Sequence, residues 1–332
     1  MKKVYKISLV IVALLVLLIG AGYVFLIYEK PVDQEALAKF MQGQPVIDMH
    51  FHITKGYPEN EQYNTLNSDI DLAKLQWVKD DHYQNNIVLA LGGGNEKYAQ
   101  LYAESDLFWA GLIFPCSKLV EQDQPCETEF LSERELRGYY ESGLFKSMGE
   151  SVYNYYGIPP TDPRLDPYWK IAEEYAIPVG VHSDSGPPTV DKNEHPNYSP
   201  EYANPEELKP ILEKHPNLKI YLMHYGGSYS DEAIELMHMY PQIYTEISAV
   251  SLFAPKIFWE RNVKKLYEEG LGDRLMFASD YFGTVKQNIE IIYSLDWLTV
   301  EQKRDVFYNN AARFLELTPV QIQEHHEMAI NP

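Results

Sequence analysis

Residues 45–53 read PVIDMHFHI, an apolar run that ends in two histidines one residue apart. In an extended strand, residues two apart share a face, so His50 and His52 aim at one spot. Two neutral imidazoles side by side in a core are costly unless something ligates or hydrogen-bonds them, and a metal ion is the natural partner. Alone the pair is a weak signal. Other apolar runs end in the same way: Val181-His182, Met223-His224, Ser279-Asp280 and Gly149-Glu150. Each has a bland reading, since a strand-end histidine is commonly just hydrogen-bonded, Asp280 could cap a helix and Glu150 could be solvated. Together they would need chance to place polar residues repeatedly at one end of a sheet, and the metal-centre reading is preferred.

The elements that must position these residues follow a simple alternation. Strand-like runs are expected at 46–52, 86–91, 108–114, 144–149, 177–182, 218–224, 243–248 and 274–279, with amphipathic helical stretches between them. Several of those helices open on a cap or first-turn proline, as at Ser132 and Asn204-Pro205. Eight such units predict a (β/α)8 TIM barrel, in which all strand ends converge on one rim. An open doubly wound sheet is the rival; Gly92-Gly93-Gly94 follows the second strand but does not make its phosphate-binding turn. The domain reading is a segment at 1–28, a connector at 29–44, the barrel at 45–320 and a tail at 321–332. The longest loop, residues 183–204, opens at Ser183, closes at Asn204 and is stiffened by prolines. It is the expected wall or lid of a substrate pocket, with Tyr198 on it and Tyr153 nearby after Glu150.

Composition narrows the function. The net charge is −20 over 332 residues, and no lysine- or arginine-rich tract offsets it, so a nucleic-acid partner is not expected. Residues 7–28 contain no charged side chain and follow Lys2, Lys3 and Lys6. A helix of that length spans about 33 Å, enough to cross a bilayer. An uncleaved transmembrane signal anchor with the catalytic domain outside the cytoplasm is preferred over a cleaved signal peptide. Cys116 and Cys126 could close a short disulfide loop in that compartment or remain unrelated thiols.

The ordered set of strand ends resembles the metal-dependent amidohydrolase superfamily, in its amidohydrolase-related branch. DMHFH at 48–52 resembles the first-strand signature, HSD at 182–184 the fifth, LKIYLMHYGG at 218–227 the sixth and RLMFASDY at 274–281 the eighth. NNAARFL at 309–315 resembles the closing helix. The resemblance implies that His50, His52 and His182 are metal ligands. It makes Asp280 a ligand or near-ligand that takes a proton from bound water, and His224 the residue that orients that water or polarises the substrate. Zinc held by nitrogen ligands can bring bound water to a pKa of about 7, which fits hydrolysis of an ester, lactone or amide of a small molecule. One zinc per chain is preferred over two, with Glu150 beside the metal rather than bridging. Binuclear deoxyribonuclease-like relatives carry a similar GE pair, but the residues after Glu150 do not follow them. A decarboxylase or hydratase is the main alternative reaction. It would want a cationic clamp on an acidic substrate, for which Lys55, Lys146 and Arg164 are the candidates. A non-catalytic binding module is the third reading.

Overall fold

The computed structural model describes residues 31–53, 68–94, 96–115, 130–186, 195–281 and 284–330. Eight strands form one parallel sheet in sequence order: β1 (Val46–Ile53), β2 (Ile87–Gly94), β3 (Phe108–Phe114), β4 (Ser147–Ser151), β5 (Val179–Val181), β6 (Ile220–Leu222), β7 (Tyr244–Ile247) and β8 (Leu275–Phe277). This is a (β/α)8 barrel and excludes the open doubly wound sheet. The strands are short and apolar because both faces are covered. The helix Glu133–Glu141 starts on a full capping box between Ser132 and Glu135, and the Asn204 side chain caps the turn Pro205–Leu208.

No regular ladder joins β8 to β1. The barrel closes there through the Asp280 N–H, which donates to His50 O at 2.8 Å, and through the buried Asp48 carboxylate. Asp48 accepts from Ser279 N at 2.9 Å, Ser279 Oγ at 2.5 Å and His50 N at 3.2 Å. One side chain thus ties the end of β1 to the end of β8, next to His50 and Asp280.

The first strand carries a bulge that decides which way its histidines face. Ile47 and Met49 belong to one apolar cluster, whereas Val46, Phe51 and Ile53 belong to the other. Strict period-two alternation would keep residues 47, 49, 51 and 53 together. The β1–β2 register slips between Asp48 and Phe51, and that extra residue reverses the alternation. His50 and His52 then share the side that Ile47 and Met49 occupy lower in the strand.

The glycines that end β2 serve packing rather than phosphate binding. A Cβ built on Gly93 would lie 1.5 Å from Gly149 O, so only glycine lets β4 come this close. Outside the barrel, residues 34–41 of the connector form a helix capped by Asp33, and residues 319–330, within and just before the expected tail, also form a helix. No helix among the described residues is long and apolar enough to cross a membrane. The expected anchor at 1–28, Cys116, Cys126 and Lys55 lie outside the described residues.

Candidate metal centre

Four histidines and two carboxylates meet at the C-terminal rim. His50 and His52 come from β1, Glu150 from β4, His182 from the end of β5, His224 from the turn after β6 and Asp280 from the turn after β8. His50 Nε2 and His52 Nε2 face each other at 3.2 Å, with ring centroids 4.9 Å apart. Asp280 Oδ1 lies 2.9 Å from His52 Nε2 and 3.4 Å from His50 Nε2. Glu150 Oε2 lies 3.2 Å from His52 Nε2, while Glu150 Oε1 lies 2.5 Å from His182 Nδ1 and 3.7 Å from His224 Nε2. Three overlapping triads, His50–His224–Asp280, His50–His52–Glu150 and Glu150–His182–His224, each have their ligand atoms within 4.8 Å of one another.

Backbone strain accompanies this convergence. His224 stands at φ 59° and Asp280 at φ 54°, in the left-handed region that non-glycine residues seldom occupy. The glycines that follow His224 let the chain leave so sharp a turn.

Sequence reasoning missed the residues that orient these histidines, and β7 supplies them. Glu246 is fully buried, and its Oε1 accepts from His50 Nδ1 at 3.1 Å, from His224 N at 3.1 Å and from Ser248 Oγ at 2.9 Å. Ser248 Oγ in turn accepts from His224 Nδ1 at 3.1 Å. With both Nδ1 atoms used as donors, the Nε2 lone pairs of His50 and His224 point into the centre, the tautomer a metal ligand needs. The signal was present as TEIS, a carboxylate two residues from a serine inside an apolar strand.

The donor set fits a divalent metal. His182 Nε2 is buried without a hydrogen-bond partner among the described residues, which is costly unless a ligand completes it. The charge balance reads the same way. Burial opposes a charge on His52, but the hydrogen bonds it donates to Asp280 and Glu150 outweigh it and lift its pKa to about 10. Burial likewise opposes a charge on His224, yet Glu150, Glu246 and Asp280 raise it to about 9. Burial would raise Glu150 and Asp280, and the neighbouring histidines hold both below the usual carboxylate range. The site therefore attracts positive charge strongly enough to overcome its own burial.

The surroundings of the centre differ from the sequence expectation at one point. Tyr153 is 1% exposed and packs on Trp169 in the core, so it does not line a pocket. Tyr155, two residues on, stands edge-on to His182 at 5.2 Å and meets Tyr198 at 5.2 Å. Of the long loop, residues 183–186 and 195–204 are described, and Tyr198 packs there beside the centre. The clamp candidates that can be placed are elsewhere. Lys146 is exposed at the start of β4, the opposite end of the barrel, and Arg164 is forked onto Asp162 at 2.9 and 2.8 Å.

A family model described as amidohydrolase matches residues 47–317, a span that contains every residue of this centre. The chain belongs to the amidohydrolase family. It is therefore an enzyme of a metal-dependent superfamily, and the histidines and carboxylates that meet at its rim include groups that could hold a metal ion. No curated protein matches the amidohydrolase chain described here. Among solved structures, it is similar to an uncharacterized TIM-barrel protein from Bordetella bronchiseptica (17% identity, TM-score 0.57, 82% of this chain and 98% of that one). It is also similar to 5-carboxyvanillate decarboxylase from Sphingomonas paucimobilis (14%, 0.51, 83% and 100%). A third is a probable 2-pyrone-4,6-dicarboxylic acid hydrolase from Acinetobacter baumannii with citric acid bound (11%, 0.54, 82% and 99%). At these identities the likeness is one of fold.

Proposed function

We propose that this amidohydrolase is a zinc-dependent hydrolase that cleaves a C–O or C–N bond of a small molecule, with one metal ion per chain. The observation that carries the reading is the donor set itself. His50 Nε2 and His52 Nε2 converge beside Asp280 Oδ1, and the buried His182 Nε2 has no partner among the described residues. His50, His52 and His182 are the proposed ligands with Asp280, and Glu150 lies close enough to all four histidines to join them. A divalent metal there would supply Lewis acidity and lower the pKa of water.

The chain's own residues do the rest. Asp280 Oδ1 can collect a proton at the centre and return it to the leaving group. His224, held by Ser248 and Glu246, presents Nε2 to the substrate, and in its protonated form, which the surrounding carboxylates favour, it can donate a hydrogen bond to an oxygen that gains charge. The strained backbone at His224 and Asp280 fixes both in advance of substrate.

Decarboxylation or hydration is the second reading, because one solved structure with this fold is a decarboxylase of a carboxylated aromatic acid. Hydrolysis is preferred because Lys146 and Arg164 are not placed to grip such a carboxylate. We place the catalytic domain outside the cytoplasm, on a membrane anchor formed by residues 1–28.

The test is elemental analysis of protein purified without chelator, alongside ester, lactone and amide panels and a panel of carboxylated aromatic acids. About one zinc per chain and turnover of the first panels is expected, with both lost in His50→Ala. Carbon dioxide release from the acids without turnover of the other panels would establish the lyase instead. A metal content near zero would refute both.

A further inference from the structure

We propose that Asp184, together with the tyrosines around it, forms a subsite for a cationic ammonium group of the substrate. This rests on the reading of the neighbouring centre as catalytic and names the class of molecule it takes. Asp184 is two residues beyond His182, on the same rim. Its Oδ1 accepts from Ser185 N at 2.8 Å, Ser228 N at 2.9 Å and Ser228 Oγ at 2.9 Å, which fixes the carboxylate rigidly. Its Oδ2 takes none of these bonds. The residue is half-buried and pairs with no lysine, arginine or histidine among the described residues. Room for it is built into the backbone: a Cβ on Gly227 would lie 2.3 Å from Asp184 Oδ1.

Tyrosines occupy the same rim as this anchored charge. Tyr155 and Tyr198 pack together at 5.2 Å, and Tyr229, next to Ser228, donates its hydroxyl to Pro200 O at 3.2 Å. Burial first, and then the charge of Asp184 among others, raises the hydroxyl pKa of Tyr198 to about 12. Tyr229 is raised for the same two reasons, with Glu201 adding to Asp184. Tyr155 packs on both Tyr198 and His182, and so links this group of rings to the metal centre. Among the described residues, the rim segments 150–158, 182–186, 195–204, 223–231 and 279–281 contain no lysine or arginine.

Among the described residues Asp184 is a fixed carboxylate with one oxygen outside these bonds, no counter-cation and tyrosines on the same rim, an arrangement that suits ammonium groups. Anionic substrates would be repelled there. A cation seated against Asp184 would lie on the rim that carries His182, two residues away in the chain.

The test uses the metal-loaded full chain. In the binding arm, tetramethylammonium and the neutral tert-butanol are titrated by calorimetry. The turnover arm compares choline esters with matched esters of 3,3-dimethylbutanol, the neutral isostere. We expect tetramethylammonium to bind and tert-butanol not to. We also expect a cationic-over-neutral preference in kcat/KM that falls about tenfold in Asp184→Asn and again in Tyr198→Leu. Metal content and thermal unfolding identify any variant that has misfolded, and the second variant then decides. Equal loss on both esters, unchanged ammonium binding in both variants, or a preference for neutral polyols would overturn the subsite. If no ester is turned over, the hydrolase reading fails, while the binding arm still judges the subsite.

Discussion

Glu246→Gln probes the metal centre with little disturbance to anything else. Glutamine keeps the shape and an acceptor oxygen, so the bonds from His50 Nδ1, His224 N and Ser248 Oγ can all survive. What disappears is a fully buried negative charge 3.1 Å from His50. Charge-assisted hydrogen bonds are roughly twice as strong as neutral ones, and second partners of metal-bound histidines typically account for about 10–100-fold in affinity. We therefore expect metal affinity to weaken about 10–100-fold, equivalent to about 1.4–2.7 kcal/mol. At saturating metal the same difference appears in stability, lowering Tm by roughly 3–5 °C for a domain of this size. The metal-free protein should change by less than about 1 kcal/mol, because no hydrogen bond has been removed. Competition with a chromophoric chelator gives the affinity, and thermal unfolding with and without metal gives the two stabilities. An affinity within twofold of wild type, or an equal loss of stability in both states, would show that Glu246 merely packs.

Three further outcomes follow from other parts of the fold. His82 is buried among the rings of Phe51, Phe108 and Tyr281, and burial pushes its pKa down to about 4, against the hydrogen bond its Nδ1 donates to the Val78 carbonyl, which raises it. Its folded pKa lies below the unfolded 6.5, so stability is lost as pH falls from 6.5 toward 4, by about 2 kcal/mol at pH 5. Denaturant titrations of chelated protein should show that loss, His82→Phe should lack it, and an identical slope in the variant would contradict the assignment. Gly93→Ala drives a methyl into Gly149 O and should cost at least about 3 kcal/mol or abolish folding, so a soluble variant of normal stability would disprove the close approach of β2 and β4. The full chain should sediment with membranes after a high-salt wash, whereas a chain beginning at residue 31 should not. A full chain left in the supernatant with its N-terminus intact by mass would remove the anchor.

The barrel was legible because each strand reads as a short apolar run, and because histidine, glutamate or aspartate ends five of them. What the sequence hid is physical rather than statistical. Register is one case: period-two reasoning puts His50 and His52 on a common face but cannot say which, since the bulge between Asp48 and Phe51 decides it. Partnership is another. Asp48 and Glu246 each sit inside an apolar run, where a carboxylate looks like a penalty; only the folded barrel shows that one bonds to β8 from β1 and the other joins β1 to the turn after β6. Tyr153 and Tyr155 show the limit in the other direction. Both follow Glu150 on a single turn, and local sequence offers no reason to choose between them. The 3-10 turn at Tyr153–Tyr156 sends the first ring into the core against Trp169 and the second against His182. Residue types thus disclose that a centre exists and where its ligands begin. Its orientation is set by long-range closure, through the carboxylate that β7 places behind the histidines, and the proposed choice of substrate rests on Asp184, which has no cationic partner among the described residues.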